Sequence, residues 1–234
     1  MNYQKIFSYL KKQSNKTIAA HSQRFFKTGR GEYGQGDVFL GIRVPVLRKA
    51  VKQFKETPLS EIRKLLRSEY HEVRLLALLL LVHQFEKADE ARREKIVSIY
   101  LKCIRYINHW DLVDSSAPYI VGVWLLDKDR SVLYDLAQSK SIWKRRIAII
   151  STFCFIKQGE FNDALKISVL LLEDPEDLIH KAAGWMLREI GNRNRKIEEQ
   201  FLKLHYRKMP RTMLRYAIEK FSEPQRQAYL KTTV

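Results

Sequence analysis

The chain has 234 residues, 45% of them hydrophobic, and 43 Lys+Arg against 26 Asp+Glu give it a formal net charge of +17. That apolar content supports one sizeable folded domain over residues 1–234 and excludes a disordered chain. The longest aliphatic run, Leu75 to Val82, is eight residues, against the ~20 that a membrane-spanning helix needs. The charge asks for a polyanion, with nucleic acid ahead of an anionic membrane surface.

In chain order, almost everything reads as helix, because apolar residues recur at three- and four-residue spacing and glycine is scarce. Met1 to Lys5 leads into Ile6-Phe7-Ser8-Tyr9-Leu10 without the apolar core of a signal peptide, so a cytoplasmic, nucleoid-associated protein is expected. Thr28 to Asp37, with Gly29, Gly31, Gly34 and Gly36, reads as the one flexible loop; no GK[ST] follows it, so it is not a phosphate-binding P-loop. Pro45, Pro58 and Pro210 each precede an amphipathic run, as first-turn prolines do. Thr57-Pro58-Leu59-Ser60-Glu61 predicts a helix over Leu59 to Arg67, and Leu75 to Val82 is a buried helix face. Asp174-Pro175-Glu176-Asp177 introduces a helix over Leu178 to Ile190, with Gly191 placed to close it as a C′ glycine. Cys103 and Cys154 lie in apolar helical stretches, and two cysteines build neither a disulfide framework nor a zinc site, which points to a reducing compartment. The six histidines form no HxxxH pair or Cys/His cluster, so neither a metal nor another cofactor is expected.

The helices repeat. A basic residue followed within three positions by alanine occurs at Arg74, Arg146, Lys181 and Arg215, separated by 72, 35 and 34 residues. The first gap is two periods of 36, which puts the missing unit near Trp110 to Gly122. A period in the mid-thirties with two helices per unit predicts an all-α, HEAT-like α-solenoid of about six helix pairs. Equivalent positions on stacked helices would align Arg74, Arg146, Lys181 and Arg215 as a row on a concave basic surface suited to a duplex backbone. Bracing of neighbouring helices is the competing explanation for each of them.

Within Asn108-His109-Trp110-Asp111-Leu112-Val113-Asp114, Trp110 and Asp114 are four residues apart and share one face of a helix. A carboxylate on a basic binding surface repels its ligand unless it has chemistry to do. A salt bridge to Arg146 is its structural alternative. Asp111 falls in the first turn and suits the helix N-terminus. Lys181, Trp185 and Arg188 share a face further along, an aromatic among cations as in nucleic-acid sites, although Trp185 in Ala182-Ala183-Gly184-Trp185 fits a core position as well.

Asn108 to Asp114, Ile142-Trp143-Lys144-Arg145-Arg146-Ile147-Ala148, Lys181-Ala182-Ala183-Gly184-Trp185-Met186-Leu187-Arg188-Glu189 and Phe39-Leu40-Gly41-Ile42-Arg43-Val44-Pro45 resemble, in the same order, the AlkD family of DNA alkylation repair glycosylases. The resemblance implies a monofunctional DNA glycosylase that hydrolyses the N-glycosidic bond of cationic N3- and N7-alkylpurines in duplex DNA without metal or Schiff-base lysine. It implies recognition from the backbone side without extrusion of the base. It makes Asp114 the catalytic carboxylate, Trp110 and Trp185 contacts to the lesion's deoxyribose, Arg146 a contact to DNA beside the lesion and Arg188 a phosphate ligand. It places the family's N-terminal helix, which approaches the minor groove, at Asn15 to Lys27. A monomer suffices. The runner-up is a non-catalytic HEAT-like module that binds damaged or structured nucleic acid, and a protein-scaffold solenoid stands third.

Overall fold

The computed structural model describes residues 1–232, and among them the secondary structure is helical, with a single isolated bridge between Val38 and Tyr70. The chain divides into two compact units, the first Met1–Ser116 and the second from Ala117 onward.

In the first unit the helices are α1 (Tyr3–Lys12), α2 (Lys16–Phe25), α3 (Val44–Phe54), α4 (Leu59–Leu65), α5 (His71–Glu86), α6 (Glu90–Lys102) and α7 (Trp110–Asp114). The aliphatic run falls in α5, where Leu75, Leu76, Leu78, Leu80 and Leu81 are all buried. A helix apolar on every side must be covered on every side, and α3, α4, α6 and α7 all pack against it. Each of those leucines contributes on the order of 2 kcal/mol by burial. Pro45 sits in the first turn of α3 as expected, while Pro58 is the N-cap of α4, which ends at Leu65 rather than Arg67.

Asn15 caps α2 by accepting from the Ile18 amide at 3.0 Å, and none of that helix's residues is fully buried. The segment after it is not the free loop its glycines suggest. The Gly29 amide donates to Glu32 at 2.8 Å, the Gly31 amide to Gln35 at 2.7 Å and the Gly34 amide to Lys27 at 3.0 Å. Phe39-Leu40-Gly41-Ile42 then crosses the start of α5, where the Leu40, Gly41 and Ile42 amides all donate to the buried Glu72 carboxylate at 2.8, 2.7 and 3.1 Å. Gly41 has φ +79, and a Cβ there would strike the Asn15 carbonyl, so glycine is required for α2 to dock.

The second unit contains a π-helical turn (Pro118–Gly122), α8 (Ser131–Ala137), α9 (Ile142–Ser151), α10 (Phe153–Lys157), α11 (Asn162–Leu170), α12 (Asp177–Gly191), α13 (Arg195–His205), α14 (Arg211–Ala217) and α15 (Glu223–Leu230). Here the repeat is realised. Helices α9, α12 and α14 pack in succession, α8 packs on α9, and α11 and α13 pack on α12. Arg146, Lys181 and Arg215 lie on those three successive helices. Gly184 explains how α14 comes so close, since a Cβ there would lie 2.5 Å from the Met213 carbonyl. Gly191 differs from expectation. It lies inside α12, whose C-cap is Asn192, and it lacks side chain because the Glu198 carboxylate of α13 occupies that space.

Among the described residues no helix is long and apolar enough to cross a membrane.

Candidate active site

Trp110 and Asp114 are the first and last residues of α7, so they stand one turn apart on one face, both half-buried. The helix is only five residues long. Pro118, four residues beyond Asp114, has no N–H with which to continue the ladder.

Such a short helix needs external support. Trp110 lies against Phe26 with ring centroids 5.4 Å apart, and Phe25, 59% exposed, meets its edge at 6.1 Å. Phe26 continues the stack onto Phe39 at 5.1 Å, and Phe39 stacks on His71 at 4.6 Å. His109, the N-cap of α7, faces the Phe26 carbonyl with Nε2 at 3.1 Å and Asp111 with Nδ1 at 3.0 Å.

A buried chain of charge lies under this aromatic layer. His71 Nδ1 is 2.7 Å from Asp37, and Nε2 is 2.8 Å from Asp111. Both ring nitrogens face carboxylates, so both carry hydrogen and donate, and the ring is an imidazolium. Burial opposes that charge, but Asp111 and Asp37 outweigh burial and push the pKa up to about 9. The same pairing works in reverse on the acids. Burial would raise Asp111, yet His71 and His109 hold it well below the usual carboxylate range; Asp37 is held low in the same way by His71 and Arg74. Asp111 is therefore part of an internal charge chain and not simply a helix N-terminus acid.

Arg74 closes that chain. It is 3% exposed, pairs with Asp37 at 2.5 Å and donates to the Ser68 and Glu69 carbonyls, each at 3.0 Å. Its guanidinium is turned inward, which removes it from the expected row of phosphate ligands. The repeat spacing is blind to this, because a brace and a ligand are both basic residues at the same helical position.

Asp114 reaches the interior by its field. Tyr100 is fully buried and hydrogen-bonded to Ser116 at 3.0 Å. Burial raises its phenol pKa, and the Asp114 charge adds to that.

In the second unit, Trp185 is half-buried, donates through Nε1 to Glu189 at 3.2 Å and lies 5.9 Å from the Phe153 ring. Glu189 also pairs with Arg193 at 2.8 Å, and Lys157 lies over the Phe153 ring at 4.6 Å. The basic residues differ in how they are held. Arg146 is 5% exposed and donates to the Leu178 carbonyl at 2.5 Å, tying α9 to α12. Lys181 pairs with Asp177 at 2.8 Å, Arg188 pairs with Glu219, and Arg215 is exposed.

His71, His109, Asp37 and Phe26 were not singled out by sequence. Each comes from a separate segment, and no spacing rule joins them. His109 and Asp111, flanking Trp110, were the one local signal.

A helical-repeat protein carrying an aromatic–carboxylate pair on a short, internally braced helix is the class these features define. The sequence pattern of the DNA alkylation repair enzyme family matches residues 6–221, and the chain belongs to that family, which gives it a role in DNA repair. Among solved structures it is similar to a predicted DNA alkylation repair enzyme from Enterococcus faecalis, with a TM-score of 0.71 and 19% identity over 90% of this chain and 98% of that one. At that identity the likeness concerns the fold. A search of the curated proteins finds no match.

Proposed function

We propose that the protein is a monofunctional glycosylase that releases cationic N3- and N7-alkylated purines from duplex DNA. The observation that carries this is the half-buried Trp110–Asp114 pair on α7 in a chain of net charge +17.

The chemistry requires little from the protein. An alkylated purine is already cationic, so it departs as a neutral base with the electron pair of the glycosidic bond and needs no general acid. The deoxyribose left behind carries positive charge like an oxocarbenium ion. Asp114 is suited to stabilise that charge, to orient the attacking water and to take its proton as the new C1′–O bond forms. The π face of Trp110 favours the same cation. In the second unit Trp185 is the candidate aromatic contact to DNA, and Lys181, Arg188 and Arg215 are the candidate DNA ligands; Arg146, 5% exposed and donating to the Leu178 carbonyl, is held as a brace as Arg74 is. No metal or cofactor enters this scheme.

The test is base release from duplex DNA containing N7-methylguanine. Asp114→Asn keeps the shape and loses the charge. It is expected to lower the single-turnover rate by a factor of about a hundred or more, the loss of one electrostatic group aimed at the transition state, with DNA affinity preserved. Release by the variant at the wild-type rate refutes the mechanism. Binding without release by the wild type would favour the non-catalytic reading.

A further inference from the structure

We infer that the buried chain Arg74–Asp37–His71–Asp111–His109 is a positioning device for Trp110 and Asp114, with His71 as its pivot. This rests on the reading that those two residues meet the substrate.

The geometry supports it in three ways. First, α7 is too short to hold itself. A five-residue helix has hardly more than a nucleus of intrahelical bonds, so its stability is tertiary. Second, its first turn is tied by side chains from more than one other segment. Asp111, adjacent to Trp110, is held by His71 from α5 and by His109 from its own N-cap, and His109 in turn faces the Phe26 carbonyl at the end of α2. Third, the pivot is placed against its local preference. His71 is the first residue of α5, where the helix dipole disfavours a cation. The Asp37 and Asp111 carboxylates offset that cost, and the Phe39 ring stacked at 4.6 Å and the Phe26 ring at 5.2 Å enclose the imidazolium. A histidine needed only to fill space here would be replaceable by an apolar ring; one that bridges two carboxylates from separate segments fixes their separation.

His71 is flanked by ionisable groups from separate segments. Asp37 comes from the segment before Phe39, Asp111 and His109 from the start of α7, and Arg74 from the next turn of α5, on the far side of Asp37. Glu72, its neighbour, is turned to the Leu40, Gly41 and Ile42 amides. Loss of a His71 proton leaves a neutral ring with one N–H, which donates to only one of Asp37 and Asp111, so the bridge between them is broken. The first turn of α7, which carries Trp110, then loses its fixed link to α5.

The experiment uses the full chain. Four tryptophans give four indole N–H signals in a proton–nitrogen correlation spectrum, and of these only Trp110 lies in the first unit. In His71→Gln the Trp110 signal is expected to shift or broaden while those of Trp124, Trp143 and Trp185 stay in place. If the variant does not fold, the wild type titrated from about pH 7 to about pH 10 supplies the same reading, because the Trp110 signal should follow the deprotonation of His71. A Trp110 signal indifferent to both perturbations overturns the proposal, whatever the protein does to DNA.

Base release gives the second arm. His71→Gln is expected to reduce the single-turnover rate about ten- to a hundredfold, the scale of an ångström-sized misplacement, with affinity for undamaged DNA unchanged. The wild-type rate should fall toward that of the variant as pH rises through the same window, and the variant's own rate should be flat. A merely structural histidine would lower the melting temperature and leave the rate per folded molecule as in the wild type, and that outcome overturns the positioning role. Failure of the glycosylase reading itself appears differently, as a wild type that releases no base while its Trp110 signal still follows His71.

Discussion

Glu198→Gln should stabilise this protein, and by an amount that grows with pH. Glu198 lies on α13 with its side chain 1% exposed, and its carboxylate fills the space left by Gly191. The Arg195 guanidinium is 3.8 Å away and also pairs with Glu199 at 3.1 Å, and Glu198 Oε1 accepts no hydrogen bond among the described residues. Burial dominates over the attraction of Arg195 and pushes the carboxyl pKa from 4.5 up to about 8. The folded state therefore holds this proton more tightly than the unfolded chain does. The group's contribution to stability is full below the unfolded value and is lost as pH rises through the folded one. Across that window the loss is about 1.4 kcal/mol per pH unit, or about 3 kcal/mol by pH 7. Glutamine has nearly the same shape and no proton to lose. Urea unfolding of both proteins, measured from about pH 5 to about pH 8, should show curves that nearly coincide at the acid end and diverge steadily, with the variant the more stable. His71, whose raised pKa contributes stability that declines as pH rises from its ordinary value near 6.5 through about 9, adds the same slope to both and cancels in the difference. Parallel curves would refute the premise that Glu198 is protonated in the folded protein near neutrality.

Three further outcomes are expected. Gly184→Ala forces α14 away from α12, because the new methyl would meet the Met213 carbonyl and the Tyr216 Cβ; thermal unfolding should show a loss of about 1–3 kcal/mol. Glu72→Gln removes a charge that accepts from three backbone amides and should cost about 2–3 kcal/mol in urea, with protease cleavage in the Phe39 to Ile42 segment as an independent readout. Arg215→Ala should reduce the slope of log affinity against log salt for DNA by about 1, whereas Arg74→Ala should leave that slope unchanged and lower the melting temperature, because one side chain is exposed and the other is turned inward to Asp37.

Much of the fold was legible because the signal was local or periodic. The apolar run from Leu75 forms α5, and the 35- and 34-residue spacings put Arg146, Lys181 and Arg215 on α9, α12 and α14. Trp110 and Asp114 share a helix face as their spacing required. What escaped was pairing across distant segments. Arg74 fits the repeat as well as Arg215 does, but only the structure reveals that Asp37 is its partner. Gly191 follows a hydrophobic stretch as a helix-closing glycine does, yet the Glu198 carboxylate from the next helix determines its use. Asp111 has the position of a helix N-terminus acid, and its histidine partner is 40 residues away.

That last distance bears on how the first unit is assembled. The two bonds of His71 close segments of 34 and 40 residues, and the contact of His109 with Phe26 spans 83. Contacts so far apart in sequence repay the entropy of chain closure only when both ends exist. On the ribosome, α1 to α4 can form and pack as they emerge, but His71 and the aromatic residues around it have no complete partner set until Trp110 and Asp111 have left the exit tunnel. The helix that carries the carboxylate is thus also the closing piece of its unit, and a nascent chain stopped short of it would leave Phe26 without the cover of Trp110 and His109.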